Sequence, residues 1–292
     1  MPDWPAIFTA LRRYDVAVTA DVAPRAVAGG DISAAWCVET GELPIFLKTT
    51  AATSIDMFEA EAAGLEELCK AEAVRVPTVI ACNTAGADAF LAMEWITFEP
   101  PAAATEQMLG RELAVQHRRC MEQFGWYRDN TIGATPQHNR WSDDWVEFFR
   151  DQRLGYQLHL AATNGFGGEL QTEGALLSAG FEHLFAAYQP AGSLLHGDLW
   201  AGNWAASQGR PVIFDPAVYY GDRESDIAMT RLFGGFGAGF YRAYEESWPM
   251  EAGHEQRIKL YQLYHILNHL NLFGRSYLAR SLELIRELNR AL

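Results

Sequence analysis

Three polar side chains on one short stretch could carry chemistry. The stretch is LLHGDLWAGN (194–203), followed by VIFDP (212–216). It places Asp198, then Asn203 five residues on, then Asp215 twelve residues later. These types suit phosphoryl transfer, where a protein aligns a nucleophile and neutralises phosphate charge. A loop carboxylate such as Asp198 can orient a hydroxyl and accept its proton. The amide oxygen of Asn203 and the carboxylate of Asp215 are hard ligands suited to Mg2+. Taken singly, HGD is a turn, FDP a strand end and the acids solvated surface. The ordered set between apolar runs argues against that plainer account.

Such a set demands a phosphate-binding cation upstream. Lys48 closes the run PIFLK (44–48), and a strand-borne lysine can hold the α- and β-phosphates of ATP. Glu59 and Glu61 follow on a helical segment, and either can pair with Lys48. Glu61 is favoured because it precedes Leu65 by four residues, on a helix whose apolar stripe faces the lobe. GGDIS (29–33) is a glycine turn whose backbone N–H groups, from Gly29 and Gly30 to Ser33, can cover phosphates. A Gly-Gly turn between strands is otherwise an ordinary hairpin, and Asp31 is expected to point away. With Lys48, the spacing of Asp198, Asn203 and Asp215 is the kinase layout. His196 stands where protein kinases begin H-R-D, and Asp-Pro replaces the start of D-F-G.

Trp200 lies inside the catalytic loop, where a ring can wall a substrate pocket. His265 and His269 have metal-ligand spacing on a helix, but the H-E-x-x-H carboxylate is missing, so a core or substrate-lining role is expected. No G-x-S-x-G elbow is present for a serine hydrolase.

Hydrophobic periodicity supplies the elements that must position these groups. Trp4, Ile7, Phe8 and Leu11 share a helical face. Three short strands are expected between Ala26 and Lys48, then a helix from Ile55 to Ala71, then strands at 79–82 and 90–95. Pro100-Pro101 interrupts regular structure. Beyond it the pattern is helical over 105–123, 141–160, 170–188, 224–232, 239–247, 255–273 and 276–292, broken by the β-like island at 194–214. The expectation is an α+β chain of two lobes: a small β-rich N-lobe (1–96) and a larger, mostly α-helical C-lobe (97–292).

The 292 residues carry 23 Lys plus Arg and 37 Asp plus Glu, a formal net charge of −14. That balance opposes nucleic-acid binding and a polybasic membrane anchor. It also opposes an anionic ligand at long range, so a bound phosphate needs local positive groups. Hydrophobic residues reach 49%, enough for a folded core. Four scattered cysteines, without a C-x-x-C pair, suggest reduced thiols in the cytoplasm. No signal peptide or membrane span is visible.

The chain resembles the fructosamine-3-kinase (ketosamine-3-kinase) family, within the aminoglycoside-phosphotransferase-like branch of the protein-kinase-like fold. The resemblance rests on FLK, MFEAEAAGL, DNTIGATPQHN, HGDLWAGN, FDPAVYYGDRESDIAM and LYQLYHILNHLNLFG, and runs from about residue 29 to 274. It implies a kinase that uses MgATP to phosphorylate the 3-hydroxyl of a ketosamine, free or protein-bound, leading to deglycation. A related kinase of an aminoglycoside or choline-like hydroxyl is the alternative. The resemblance also implies a hinge at Glu94, Trp95 and Ile96 that meets adenine, and a structural Asp226 that accepts hydrogen bonds from the catalytic loop. Trp200, His269 and Asn271 are the candidates near the sugar. No nucleic-acid or membrane partner is implied, and a monomer or weak homodimer is expected. Three departures stand out: Ser33 where Asn is commoner, Asp31 where eukaryotic members often carry a redox-active Cys, and Arg275-Ser276 after NLFG.

Overall fold

One twisted sheet near the N-terminus has two buried faces, and its period-two alternation decides which side chain serves which face. The computed structural model describes residues 1–19, 22–27 and 33–292. Helix α1 (Trp4–Leu11) is capped by Asp3, whose carboxylate accepts from the Ala6 N–H at 3.1 Å. Strands β1 (Arg25–Val27), β2 (Ala34–Val38) and β3 (Ile45–Ala51) lead to helix α2 (Ile55–Cys69), then β4 (Val79–Ala85) and β5 (Asp88–Glu94). The sheet order is β1-β2-β3-β5-β4, and every pairing is antiparallel. Phe90 and Ala92 turn to α1, where they meet Ile7, Phe8, Leu11, Ile45 and Leu47. Ala89, Leu91 and Met93 turn to α2, where they join Phe58, Leu65 and Leu68. Lys48 pairs with Leu91 in register, so it shares the α2 face.

The rest of the chain is built on helices. Helix α3 (Ala103–His117) leads to the short strand β6 (Cys120–Met121) and the hairpin β7 (Asn130–Ile132) and β8 (Thr135–Gln137). Helix α4 (Trp145–Phe149) passes through a π-helical turn at 150–154 into α5 (Gly155–Thr163), and α6 (Glu169–Gly180) ends in a 3-10 turn at 181–185. Strand β9 (Gly192–Leu195) precedes the catalytic loop, and β10 (Trp204–Ser207) and β11 (Arg210–Ile213) form a hairpin after it. Strand β12 (Tyr219–Gly221) pairs with β9, which also pairs with β6. Helices α7 (Glu224–Leu232), α8 (Ala238–Ser247), α9 (His254–Phe273) and α10 (Leu278–Ala291) complete the chain.

Several expected boundaries shift for local reasons. The helix expected from residue 141 starts at Trp145, because Asp144 caps it by accepting from the Glu147 N–H at 2.8 Å. Helix α3 stops at His117, so Cys120–Met121 is free to pair with β9. The 170–188 helix tightens into its 3-10 turn after Gly180. The hairpin at 130–137 was outside the expected strands. No described helix is long and apolar enough to cross a membrane.

One hydrophobic cluster joins α2 and the inner face of the sheet to the helical part, including Leu109, Leu113, Trp145, Val218, Ile227 and Leu267. The connecting segment at 95–98 lacks regular structure, and Glu99 then bridges to Ala206. Gly64 on α2 lies so close to the segment leading from Asp215 into β12 that a Cβ there would meet Val218 Cγ2 at 3.2 Å. Tyr220 donates its hydroxyl to Glu67 at 2.7 Å, a second tie between α2 and that strand.

Candidate active site

Strand β3 and helix α2 bring two charges together. Phe58, Glu61, Leu65 and Leu68 recur at helical spacing, so Glu61 sits within the buried stripe of α2. Lys48 Nζ donates to Glu61 Oε1 at 2.6 Å and to Asp215 Oδ1 at 2.7 Å. Glu59 turns outward, half-exposed, towards Arg128 at 3.6 Å. Burial disfavours the Lys48 charge, but Glu61 and Asp215 outweigh burial and hold its pKa above the usual lysine range. Burial lifts the Glu61 carboxyl above its usual range, and Lys48 opposes that lift. The Asp215 side chain is 40% exposed, so it is the member of the trio that faces the cleft.

The catalytic loop is fixed from beneath by Asp226 on α7. Its two carboxylate oxygens accept from the His196 N–H at 2.8 Å and the Gly197 N–H at 2.9 Å. Burial alone would raise the Asp226 pKa. The bond to His117, at 3.1 Å, and those from the loop amides hold it below the usual range instead. His196 donates from Nε2 to the Phe214 carbonyl at 3.0 Å and accepts at Nδ1 from the Asp198 N–H at 3.3 Å. That pattern is a neutral imidazole, and burial lowers its pKa in the same sense. Gly197 has φ +83°, and a Cβ there would lie 2.0 Å from the Ala217 carbonyl oxygen, so only glycine fits.

Asn203 ties the loop to the strand that carries Asp215. Its Nδ2 donates to the Asp198 carbonyl at 2.8 Å, to Asp198 Oδ2 at 3.3 Å and to the Asp215 carbonyl at 3.4 Å. Its own carbonyl accepts from the Phe214 N–H at 3.0 Å. Burial pushes the Asp198 carboxyl up to about 7, and the charges of Asp215 and Asp226 add to that shift. The pocket thus concentrates carboxylates around one lysine, an arrangement that a divalent cation would relieve. The donor set fits Mg2+, which takes one or two protein oxygens and completes its shell with phosphate oxygens and water. Among the described residues, no group of three or more His, Cys, Asp or Glu could hold a metal ion by itself.

The model of the fructosamine kinase family matches residues 4–291. The chain belongs to the fructosamine kinase family. A Synechocystis sp. protein provisionally named a ketoamine kinase is 44% identical, with 90% of this chain and 89% of that protein covered. A protein-ribulosamine 3-kinase of Arabidopsis thaliana is 41% identical, with 91% and 82% covered. The crystal structure of a protein provisionally named a fructosamine-3-kinase, from Haemophilus somnus 129PT, superposes with a TM-score of 0.89 at 27% identity, covering 98% of this chain and 97% of that one. The expected two-lobed, protein-kinase-like α+β fold is the one observed.

Within this fructosamine kinase chain, the remaining expected positions separate into four groups. Trp200 and His269 belong to one row of rings that leaves the catalytic loop. Trp200 meets Phe233 edge-on at 6.5 Å, Phe233 meets His269 at 4.9 Å, and His269 meets Tyr277 at 5.2 Å and Phe273 at 5.4 Å. Phe233, Phe273 and Tyr277 were missed as site candidates, although FGGF and NLFG announced aromatic side chains beside glycine turns. Asn271 is directed elsewhere: its Nδ2 donates to Gln157 Oε1 at 2.8 Å and its Oδ1 accepts from Asn164 at 3.1 Å, tying α9 to α5. At the hinge positions, Glu94 ends β5, bonds Arg75 through its side chain and donates its N–H to the Thr78 carbonyl at 2.9 Å. Trp95 and Ile96 follow, both half-buried. Gly29 and Gly30 lie outside the described residues, as does Asp31. Ser33 is half-buried in a bend just before β2.

Proposed function

We propose that this chain is an ATP-dependent kinase that phosphorylates the 3-hydroxyl of a ketosamine. The observation that carries this reading is the Lys48 ammonium held between Glu61 and Asp215, with Asp198 joined to the same group through Asn203. The names of the Synechocystis and Arabidopsis relatives support a ketoamine or ribulosamine acceptor. Lys48 binds the α- and β-phosphates, and Glu61 keeps its stem extended towards them. The loop around Gly29, Gly30 and Ser33 covers the phosphates, and the backbone at Glu94, Trp95 and Ile96 meets adenine. Asn203 and Asp215 would hold Mg2+, which would neutralise charge on the transferring phosphate.

Asp198 accepts the acceptor's hydroxyl proton. The hydroxyl oxygen bonds the γ-phosphorus, the bond to the β–γ bridging oxygen breaks, and ADP leaves with that electron pair. The neutral His196 keeps Asp198 at the right height by accepting from its N–H. Trp200 and His269 line the acceptor side, and Asn271 supports that wall through α5. The 3-phosphate product then decomposes and frees the amine, so the acceptor is a glycated small molecule or protein. We place the lobe boundary between residues 96 and 97, in the segment without regular structure. The four cysteines are free thiols, which suits a cytoplasmic monomer or weak homodimer.

The test is a coupled ADP-release assay across ribulosamine, erythrulosamine, fructosamine and aminoglycoside acceptors. Turnover of a ketosamine is expected, and Asp198→Ala should lose roughly 100-fold or more in kcat, as removal of a positioned base does. Turnover of aminoglycosides alone would overturn the acceptor. A near-parental rate in the variant would remove Asp198 from its role.

A further inference from the structure

The segment DNTIGATPQHN (129–139) takes no part in the chemistry above, yet its side chains reach the segment that leads from Asp215 into β12. Gln137 on β8 is 1% exposed. Its Nε2 donates to the Ala217 carbonyl at 3.0 Å and to Asn130 Oδ1 at 2.8 Å, and its Oε1 accepts from the Tyr264 hydroxyl at 2.8 Å. Asn130 on β7, also buried, donates from Nδ2 to the Val218 carbonyl at 2.8 Å. Two amides of one hairpin therefore grip two successive carbonyls, at the second and third residues beyond Asp215.

The opposite side of the same segment is held by the loop at 196–198. The Ala217 N–H donates to the His196 carbonyl at 2.8 Å, and the Ala217 carbonyl lies so close to Gly197 that a Cβ there would be 2.0 Å from it. Between these grips, Asp215 has φ +57°, in the left-handed region. Asp adopts that region more readily than most side chains, but it still has to be held there. Lys48 fixes the Asp215 side chain, and Asn203 Nδ2 meets its carbonyl at 3.4 Å. The bonds to Ala217 and Val218 fix the path of the chain just beyond it.

We propose that Gln137 and Asn130 are positioning residues for Asp215: they hold the following carbonyls so that the carboxylate stays aimed at the metal site. This rests on the reading of Asp215 as a Mg2+ ligand. The hairpin thereby does by fixed hydrogen bonds what a movable segment would leave to chance. Loss of the grip relaxes Asp215 from its left-handed backbone and weakens metal binding. The loop that carries the base keeps its separate anchor on Asp226, so acceptor binding and the base should change little.

The experiment is a Mn2+ titration followed by electron paramagnetic resonance, with ADP present and no acceptor, on the parent, Gln137→Glu and Asn130→Asp. Each substitution keeps the side-chain shape and replaces the donating NH2 by an oxygen; the uncharged Gln137→Met and Asn130→Leu remove the same bonds and separate their loss from the added carboxyl group. The expected result is a Kd for Mn2+ raised about 5- to 10-fold, the scale of one lost hydrogen bond. In steady-state assays the Mg2+ requirement should rise with it, while kcat at saturating Mg2+ and the acceptor KM stay within about twofold. A lowered Tm with unchanged Mn2+ affinity would show a merely structural hairpin and overturn the proposal. If Gln137→Glu does not fold, Asn130→Asp reads out the same grip through Val218. Absence of Mn2+ binding by the parent would overturn both this role and the metal-ligand reading of Asp215. Unchanged binding in the variants overturns this role alone.

Discussion

Single residues here divide by whether their partner is near or far in sequence. Asp198, Asn203 and Asp215 were legible because their chemistry resides in a spacing, and Lys48 and Glu61 because each sits on a periodic element. His117 and Gln137 were not. Their meaning lies in contacts with Asp226 and Ala217, 109 and 80 residues away, and a polar residue in a helix or strand gives no sign of that. His265 shows a third case. Its spacing with His269 is that of metal ligands, but a core or substrate-lining role was expected, and it is indeed buried on α9, where its Nδ1 has no hydrogen-bond partner. Burial, then the neighbouring His269, lowers its pKa to about 3. A histidine with a depressed folded pKa contributes stability that is complete above the unfolded value near 6.5 and is lost as pH falls towards 3. Between pH 7 and about pH 4.5 the parent should therefore lose roughly 2 kcal/mol more stability than His265→Leu. Urea denaturation at the two pH values checks this. Parallel losses would mean that His265 protonates freely in the folded state.

At the scale of elements, amphipathic helices were read well and short polar strands were not. Helices α2, α7 and α9 carry stripes that declare their inner faces. Strands β7 and β8 consist of Asn-Thr-Ile and Thr-Pro-Gln, too short and too polar for alternation to emerge. Their inward residues are Asn130, Ile132, Thr135 and Gln137, of which only Ile132 is apolar, and the two amides bind backbone instead. Close packing of elements leaves a different trace, in glycine. Helices α3 and α8 cross at Gly110, where a Cβ would lie 2.3 Å from the Phe240 carbonyl oxygen and 3.1 Å from the Tyr244 nitrogen. An added methyl group must push two backbones apart. Gly110→Ala should therefore destabilise the protein by about 2 kcal/mol, although alanine favours an isolated helix. Thermal unfolding followed by circular dichroism measures it, and an unchanged or raised Tm would show that the crossing yields easily. His117 lies on α3 and Tyr244 on α8, joined at 2.8 Å, so the same crossing supports the Asp226 anchor.

For the whole molecule, the charge of −14 sets the long-range field, and Lys48, paired with Glu61 and Asp215, does not reverse it at the site without a divalent cation. A cationic acceptor should be drawn in by the remaining negative field. Its KM is expected to rise roughly 2- to 5-fold between about 0.05 and 0.5 M salt, as screening shortens the field's reach. A neutral ketosamine analogue should show no such rise, and equal salt dependence for both would assign the effect to something other than charge. The division into a β-rich and a helical part was legible from composition along the chain. The sharing of one core between them was not, because contact between distant apolar stripes is a property of packing. That shared core has a consequence for dissecting the molecule. A cut near residue 96 severs the chain but leaves Phe58, Leu65 and Leu68 complementary to apolar surface on the other fragment. Each fragment alone would expose that apolar face, so the two pieces mixed together are expected to reassemble and restore the Lys48–Asp215 contact, with recovered turnover as the readout; no recovery would argue that the shared core does not drive their pairing.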